Sequence, residues 1–285
     1  MTDNPNPLNR YYRQPAVYVR LPSKGAYYND SVFEKTVTGE VPILPMTAKD
    51  EMAFKTPDAL INGQATVDVI RSCVPNIKDP WKLVNYDLDT VLLGIRIATY
   101  GESMDINATV PVINEQITQA VSLPTLLDTI ANIQLKDSFI TKDNFTIKVN
   151  PLTYKEITDV QVKTYNEQKT VVTVKNSQLT EEEKTVRYNE TYKNLNDLNY
   201  LVLSNSITSI KTPDGTEVTD QTQIKEFLNN TGSTLVNEIQ EGVLSLRSQA
   251  QIKPLRMQST EEQIKKGAPA NYEIPLTFDN ANFFV

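Results

Sequence analysis

The sequence predicts an α+β protein with a mostly helical core and small β-ribbons or hairpins, and three observations support this. Helix-capping signals recur along the 285-residue chain. Several segments carry apolar residues at helical spacing. Short stretches of alternating apolar and polar residues, bounded by Gly, Pro or Asn, separate those segments and predict strands. A chain of this length buries a sizeable core.

The first third of the chain predicts a small hairpin followed by helices. Strand-like alternation covers 17–21 and 36–44, with a turn at Thr38-Gly39-Glu40. Thr47 and Asp50 have the spacing of a capping box, and Thr56-Pro57 is a second helix-start signal. We predict helices over 47–55, 57–62, 64–74 and 85–100.

The helix predicted over 85–100 is the strongest candidate for a central core element. Leu88, Val91, Leu92 and Ile95 fall on one helical face, and Gly101 is well placed to end the helix.

The rest of the chain alternates between strand and helix signals. Strand patterns at 106–110 and 145–149 enclose a mostly polar stretch, and two long segments at 152–176 and 180–204 predict an antiparallel helical hairpin. Thr180 and the three glutamates after it mark the start of its second helix. Further elements are predicted at 207–210, 213–216, 220–229, 233–248 and 272–278.

These patterns suggest five regions. They are an extended arm over 1–14, a strand hairpin with a helical unit over 15–104, a β-ribbon excursion over 105–150, a helical hairpin with following helices over 151–250, and a C-terminal β-ribbon over 251–285.

Composition excludes several classes of function. The chain has no histidine and one cysteine, Cys73, so it lacks imidazole-dependent nucleophilic catalysis, structural zinc and any intrachain disulfide. A net charge of −7 argues against a nucleic-acid surface. No apolar run approaches the ~18 residues of a membrane span. We therefore predict no catalytic residues, no metal, no cofactor, no nucleic-acid or membrane partner and no small-molecule substrate.

The acidic residues Asp79, Asp87 and Asp89 are the nearest approach to a chemical cluster. Asp79 precedes a proline in a turn, while Asp87 and Asp89 lie in the first turn of the predicted helix at 85–100. Acidic side chains stabilise that end of a helix by ~0.3–1 kcal/mol each. We interpret them as helix-start residues rather than as an acid–base or metal site.

Six residues are candidates for an interface with other proteins. Tyr11, Tyr12 and Arg13 end an Asn- and Pro-rich arm, and these residue types often anchor interfaces. Phe283 and Phe284 lie next to the C-terminus, where they either dock on a partner or fold back on the chain's own core. Trp81, the single tryptophan, is either a core anchor or a contact residue. The sequence leaves both alternatives open.

Several motifs resemble the baseplate hub proteins of T-even-type and related bacteriophages with contractile tails. The resemblance is most specific from Met46 to Glu102, in PMTAKDE, TPDAL-NG, SCVP-I-DP and DLD-x4-GIRIATYGE. Looser matches flank this stretch: RQP, RLPS and GAYY before it, and SIKTPDG, IKEFL and FDNANFF after it. Relatives are expected to carry Cys-x-x-Cys knuckles where this chain has none, so an apolar patch is expected to replace the metal. Its members would be Ile113, Ile117, Leu123, Leu126, Leu127 and Ile130.

The resemblance implies a non-enzymatic assembly protein. It would be a structural component of the tail baseplate, in its hub region, that binds other hub, wedge and tail subunits during assembly. The protein would lie in the virion tail baseplate, and in the host cytoplasm during assembly. One alternative is an assembly chaperone of the hub that is absent from the mature virion. A tail-associated cell-wall-degrading enzyme is a third possibility, but no carboxylate pair with separated environments supports it.

Overall fold

The computed structural model describes residues 6–54, 62–249 and 252–276. Within them the protein is mostly helical, with nine α-helices and small antiparallel sheets, as the sequence predicts. The helices are α1 (Ala48–Ala53), α2 (Gln64–Cys73), α3 (Asn85–Tyr100), α4 (Leu123–Ala131), α5 (Tyr154–Lys175), α6 (Glu181–Ser206), α7 (Gln221–Asn230), α8 (Ser233–Ser248) and α9 (Glu261–Lys265).

The strands form three two-stranded sheets and one four-stranded sheet, all antiparallel. They are β1 (Val17–Val19), β2 (Val41–Ile43), β3 (Ser103–Val110), β4 (Glu115–Ser122), β5 (Ser138–Ile140), β6 (Thr146–Val149), β7 (Ile207–Lys211), β8 (Glu217–Val218), β9 (Leu255–Gln258) and β10 (Asn271–Ile274). Short 3-10 helices cover Pro7–Tyr11 and Pro80–Lys82. The predicted helix at 57–62 lies almost wholly outside the described residues.

The chain divides into two compact units, one made of 1–80, 86–133 and 251–285, the other of 81–85 and 134–250. The stretch 105–150 therefore contributes to both. Of its two predicted strands, the first pairs with β4, and the second, β6, pairs with β5 and β7 in the four-stranded sheet of the other unit.

Helix α3 is the central element of the first unit. Leu92 and Ile95 are buried, as predicted, but Leu93, Ile97 and other residues around the helix are buried too, so α3 is enclosed on all sides rather than on one face. Gly94 allows this packing, because a Cβ there would lie 2.2 Å from Ile43 Cδ1. Gly101, with φ of 95°, ends the helix and donates to the Ile97 carbonyl at 2.9 Å.

The capping box predicted at Thr47 and the helix start predicted at Thr180 are confirmed, and both sites form capping boxes. Each threonine accepts a bond from a backbone N–H three residues later, and the side chain at that position accepts from the backbone of the threonine. The structure adds two further boxes, at Thr153 and Thr260. Each box fixes the first residue of a helix by satisfying donors that the helix itself leaves unpaired.

The two β-ribbons β3–β4 and β9–β10 share an apolar core in the first unit. Its buried members are Ala108, Val110, Ala268, Tyr272 and Ile274. Ile113 and Ile117 pack against this core, as expected from the sequence. Leu123 and Ile130 are buried on α4 but are not members of it, so the predicted patch is only partly right.

The second unit has its own core between the four-stranded sheet, the C-terminal part of α6 and the helices α7 and α8. The core members are Ile147, Val149, Leu203, Ile207, Ile210, Ile224, Leu228, Ile239, Val243 and Leu246. Helix α8 approaches the sheet closely at Gly242, where a Cβ would lie 2.2 Å from the Phe139 ring. The hairpin of α5 and α6 extends from this unit.

Candidate interaction surfaces

The N-terminal arm presents two tyrosines to solvent. Tyr11 is 70% exposed and Tyr12 is 58% exposed. The backbone there forms a 3-10 turn because Asn6 Oδ1 accepts from the Leu8 N–H at 3.0 Å. The guanidinium of Arg10 lies 4.7 Å from the centre of the Tyr11 ring. These contacts are local, so the arm holds its aromatic side chains outward without burying them.

Arg13, directly after these tyrosines, is held inside the fold. Its guanidinium donates to the carbonyls of Pro45 (2.5 Å) and Ser72 (2.7 Å), to Ser72 Oγ (2.7 Å) and to Asp50 (3.2 Å). The arginine thus ties the arm to the end of β2 and to helices α1 and α2. This structural role was not evident from the sequence, and an interface role for Arg13 stays a prediction.

Asp50 is the acidic partner of Arg13 in this set of contacts, which we call the Arg13 anchor. It accepts from the backbone and hydroxyl of Thr47 and from Ser72 Oγ at 3.0 Å. Burial alone would raise the pKa of Asp50, but the bonds from Thr47 and Ser72 and the charge of Arg13 lower it below its ordinary value. Asp50 therefore stays ionised and paired.

Trp81 is half-buried in the second unit. Its ring stacks on Tyr154 with centroids 5.4 Å apart and an interplanar angle of 17°, and the Lys155 ammonium lies 5.6 Å from its centre. The contacts with Tyr154 give the tryptophan a packing role, while its partial exposure leaves an edge for contact. Phe283 and Phe284 lie outside the described residues, so the structure does not bring them together with the other candidates.

Asp87 is fully buried and has a different role from the one predicted. Its carboxylate accepts from the Ser23 backbone at 2.9 Å, from the Ser23 hydroxyl, and from Tyr28 Oη at 2.6 Å. It thereby joins the segment before β2 to helix α3, rather than binding the helix's own N–H groups. Burial raises the pKa of Asp87, although these bonds act in the opposite direction. The sequence could not show this, because the partners lie about sixty positions away.

For Asp89 and Arg96, two other charged residues of α3, few contacts offset the cost of burying a charge. Burial raises the pKa of Asp89 to about 6. Arg96 is buried, its guanidinium lies 4.5 Å from the centre of the Tyr100 ring, and its Nε and Nη1 have no hydrogen-bond partner among the described residues. Burial lowers the pKa of Arg96.

Metal-ligating side chains are not clustered in the described residues. No group of three or more His, Cys, Asp or Glu residues in these ranges could hold a metal ion. Cys73 is fully buried, and burial raises its pKa to about 11, so its thiol is protonated at neutral pH. None of the helices described has the length and apolar character needed to cross a bilayer.

A groove of about 470 Å³ runs along β1 in the first unit. Arg20 and Glu40 form an ion pair at 3.0 Å on its wall, and Glu102 and Asp128 also line it. It offers polar contacts, but its lining contains neither a cysteine nor a serine that could act as a nucleophile.

Comparison with known proteins identifies the family. No curated protein and no solved structure matches the chain significantly. The model of the family described as T4 bacteriophage base plate protein matches residues 18–265, which is most of the chain. The matched span includes α3, the β3–β4 ribbon and strand β9, and it ends before β10. The chain therefore belongs to the T4 bacteriophage base plate protein family.

Proposed function

We propose that this baseplate-family protein is a structural component of the hub region and works by binding other hub, wedge or tail subunits during assembly. The observation that carries the proposal is the family match over 18–265. Two features of the described residues support a binding role. The buried carboxylates Asp50 and Asp87 bond to other parts of the chain's own fold, and the aromatic side chains of the arm are exposed.

The arm is the first contact surface that we assign to this role. Tyr11 and Tyr12 offer large apolar area with few rotatable bonds, and tyrosine is enriched at interface hot spots. Arg13 fixes the point where the arm leaves the fold, so ordering the arm on a partner costs less entropy than ordering a free tail.

A double variant, Tyr11→Ala with Tyr12→Ala, tests this assignment in infected cells. We expect the variant to fold normally but to be lost from purified baseplates. Tyr18→Ala is the matched control, because Tyr18 is similarly exposed (61%) but lies on β1. Normal incorporation of the double variant would overturn the role of the arm.

Detection of the chain in purified virions tests the wider proposal. A structural component is present in mature particles at a fixed ratio to the other baseplate proteins, whereas an assembly chaperone is present only in precursors from the host cytoplasm. A cell-wall-degrading enzyme would release soluble fragments from purified peptidoglycan. Absence from virions, or such release, would overturn the structural role.

A further inference from the structure

The hairpin of α5 and α6 has a polar two-helix seam of the coiled-coil type. The residues that face the partner helix recur at alternating spacings of three and four, and all of them are buried or half-buried. They are Ile157, Val160, Thr164, Glu167, Val171 and Val174 on α5, and Lys184, Tyr188, Thr191, Leu195, Leu198 and Val202 on α6. This register defines which residues flank the seam on each side.

One flank of the hairpin is uncharged over most of its exposed length. When two helices pack antiparallel, the residue that follows each seam position lies on the same side of the pair in both helices. Below the exposed Lys175 at the tip, these residues are Gln161, Tyr165, Gln168 and Val172 on α5, and Thr185, Asn189, Tyr192 and Asn196 on α6. All eight are exposed, and we call them the neutral face.

Burial at the base of the hairpin supports this alignment. Toward the body of the unit the same positions are Tyr154 and Thr158 on α5 and Asn199 and Leu203 on α6; Asn199 is still exposed, and the other three are buried. The same flank of both helices is therefore covered at the base and uncovered toward the tip.

The members of the neutral face match in type across the two helices. Val172 lies three residues before the end of α5 and Thr185 four residues after the start of α6, a difference of about 1.5 Å in distance from the tip. The other pairs have the same offset. Going down from the tip, the rows are Val172 with Thr185, Gln168 with Asn189, Tyr165 with Tyr192, and Gln161 with Asn196.

The opposite flank carries more charge. It has Glu156, Asp159 and Lys163 on the base half of α5, uncharged residues on the tip half of α5, and Arg187, Glu190 and Asp197 on α6. Arg187 pairs with Glu190 at 3.2 Å, and Asp159 with Lys155. This is the ordinary composition of a solvated helix surface, whereas loss of charge together with tyrosine is typical of an interface.

We propose that the neutral face binds the same face of a second copy of this chain, so that two hairpins form a four-helix arrangement. Amide and tyrosine side chains each donate and accept hydrogen bonds, so identical surfaces can satisfy one another in a two-fold contact. No like charges meet there, whereas pairing the charged flank with its own copy would bring like charges together. Eight side chains are fewer than the roughly 20–30 residues per partner of a standard interface, so the dimer is weak.

Sedimentation equilibrium of the full-length purified chain tests the proposal without other baseplate proteins. We expect reversible dimers that become populated toward ~100 μM. Tyr165→Glu with Tyr192→Glu should raise the dissociation constant at least ~tenfold, because two charges per copy would face like charges. Asn166→Glu with Val186→Glu is the matched control, since it places one glutamate on each helix at exposed positions outside the neutral face.

Circular dichroism of both variants separates loss of association from loss of the hairpin. A thiol cross-linker gives a second measure of dimer formation. The native Cys73 is fully buried, so in the Gln168→Cys variant the introduced cysteine is the one that the cross-linker reaches. We expect cross-linked dimers from Gln168→Cys and far fewer from Asn166→Cys. A strictly monomeric chain at ~100 μM, equal weakening by the control variant, or binding of this face only to a different baseplate protein would overturn the proposal.

Discussion

At the residue scale, the Arg13 side chain joins the arm to three parts of the first unit. Its partners lie 32 to 59 positions away along the chain, and for that reason no local pattern predicts them. A lysine could not replace its planar fork, which reaches two carbonyls, a hydroxyl and a carboxylate.

We expect Arg13→Met to lower the free energy of unfolding by about 2–4 kcal/mol, because it leaves the Asp50 carboxylate and two carbonyls with fewer partners. Urea denaturation measures this change. Arg20→Met removes an exposed pair with Glu40 and should cost less than about 1 kcal/mol. Similar costs for the two variants would contradict the anchoring role.

Asp89 provides a prediction about pH at the same scale. Its folded pKa of about 6 lies above the ordinary value of 3.8, so the folded chain binds more protons than the unfolded chain between these values. Stability from this group is therefore present at low pH and is lost as pH rises from about 4 to 6. At pH 7 the ionised carboxylate costs at most about 3 kcal/mol.

We expect Asp89→Asn to stabilise the protein at pH 7 and to have a smaller effect at pH 4.5, as measured by denaturation at both values. Asp128→Asn, at an exposed position on α4, should change stability little at either pH. An equal effect of Asp89→Asn at both values would show that burial does not raise this pKa.

At the scale of elements, most helices could be predicted closely, although α4 and α9 were missed, and the strand pairing could not be predicted. Thr47, Thr153, Thr180 and Thr260 carry local capping signals, and the helices that follow Thr47 and Thr180 begin where those signals place them. Strand β4 was missed because the turn before it uses Val112 and Asn114 at positive φ instead of glycine. Strand β6 pairs with β7, some sixty positions later, and only the folded core selects that partner.

Helix α3 is the element whose packing is easiest to test. Ile95 is fully buried and Leu92 is 6% exposed, so truncating either removes apolar contacts and leaves a cavity. We expect Leu92→Ala and Ile95→Ala each to cost ~2–5 kcal/mol in urea denaturation. Leu201→Ala, on α6 at 41% exposure, should cost less than about 1 kcal/mol. Unchanged midpoints for both α3 variants would contradict the central position of this helix.

At the scale of the whole molecule, the family is shown, whereas the binding surfaces stay predictions. The motifs between Met46 and Glu102 were sufficient for the family, because they contain much of the first unit's core. Of the candidate interface residues, Tyr11 and Tyr12 are exposed. Arg13 forms hydrogen bonds within the fold, and Trp81 stacks on Tyr154. One sequence could not separate these roles, because the same residue types anchor both cores and interfaces.

The position of Arg13 sets where the arm can be cut without loss of the fold. Residues 6–12 contribute no side chain to the buried core of the described residues, whereas Arg13 holds the first unit together. We expect deletion of residues 1–12 to leave the melting temperature within a few degrees of the full chain. Deletion of 1–13 should lower it markedly, because the anchor is lost.

Differential scanning calorimetry compares the two truncations, and baseplate incorporation of the shorter deletion then reports on docking alone. Equal melting temperatures would show that the anchor contributes little, and normal incorporation of the 1–12 deletion would show that the arm is not a docking element.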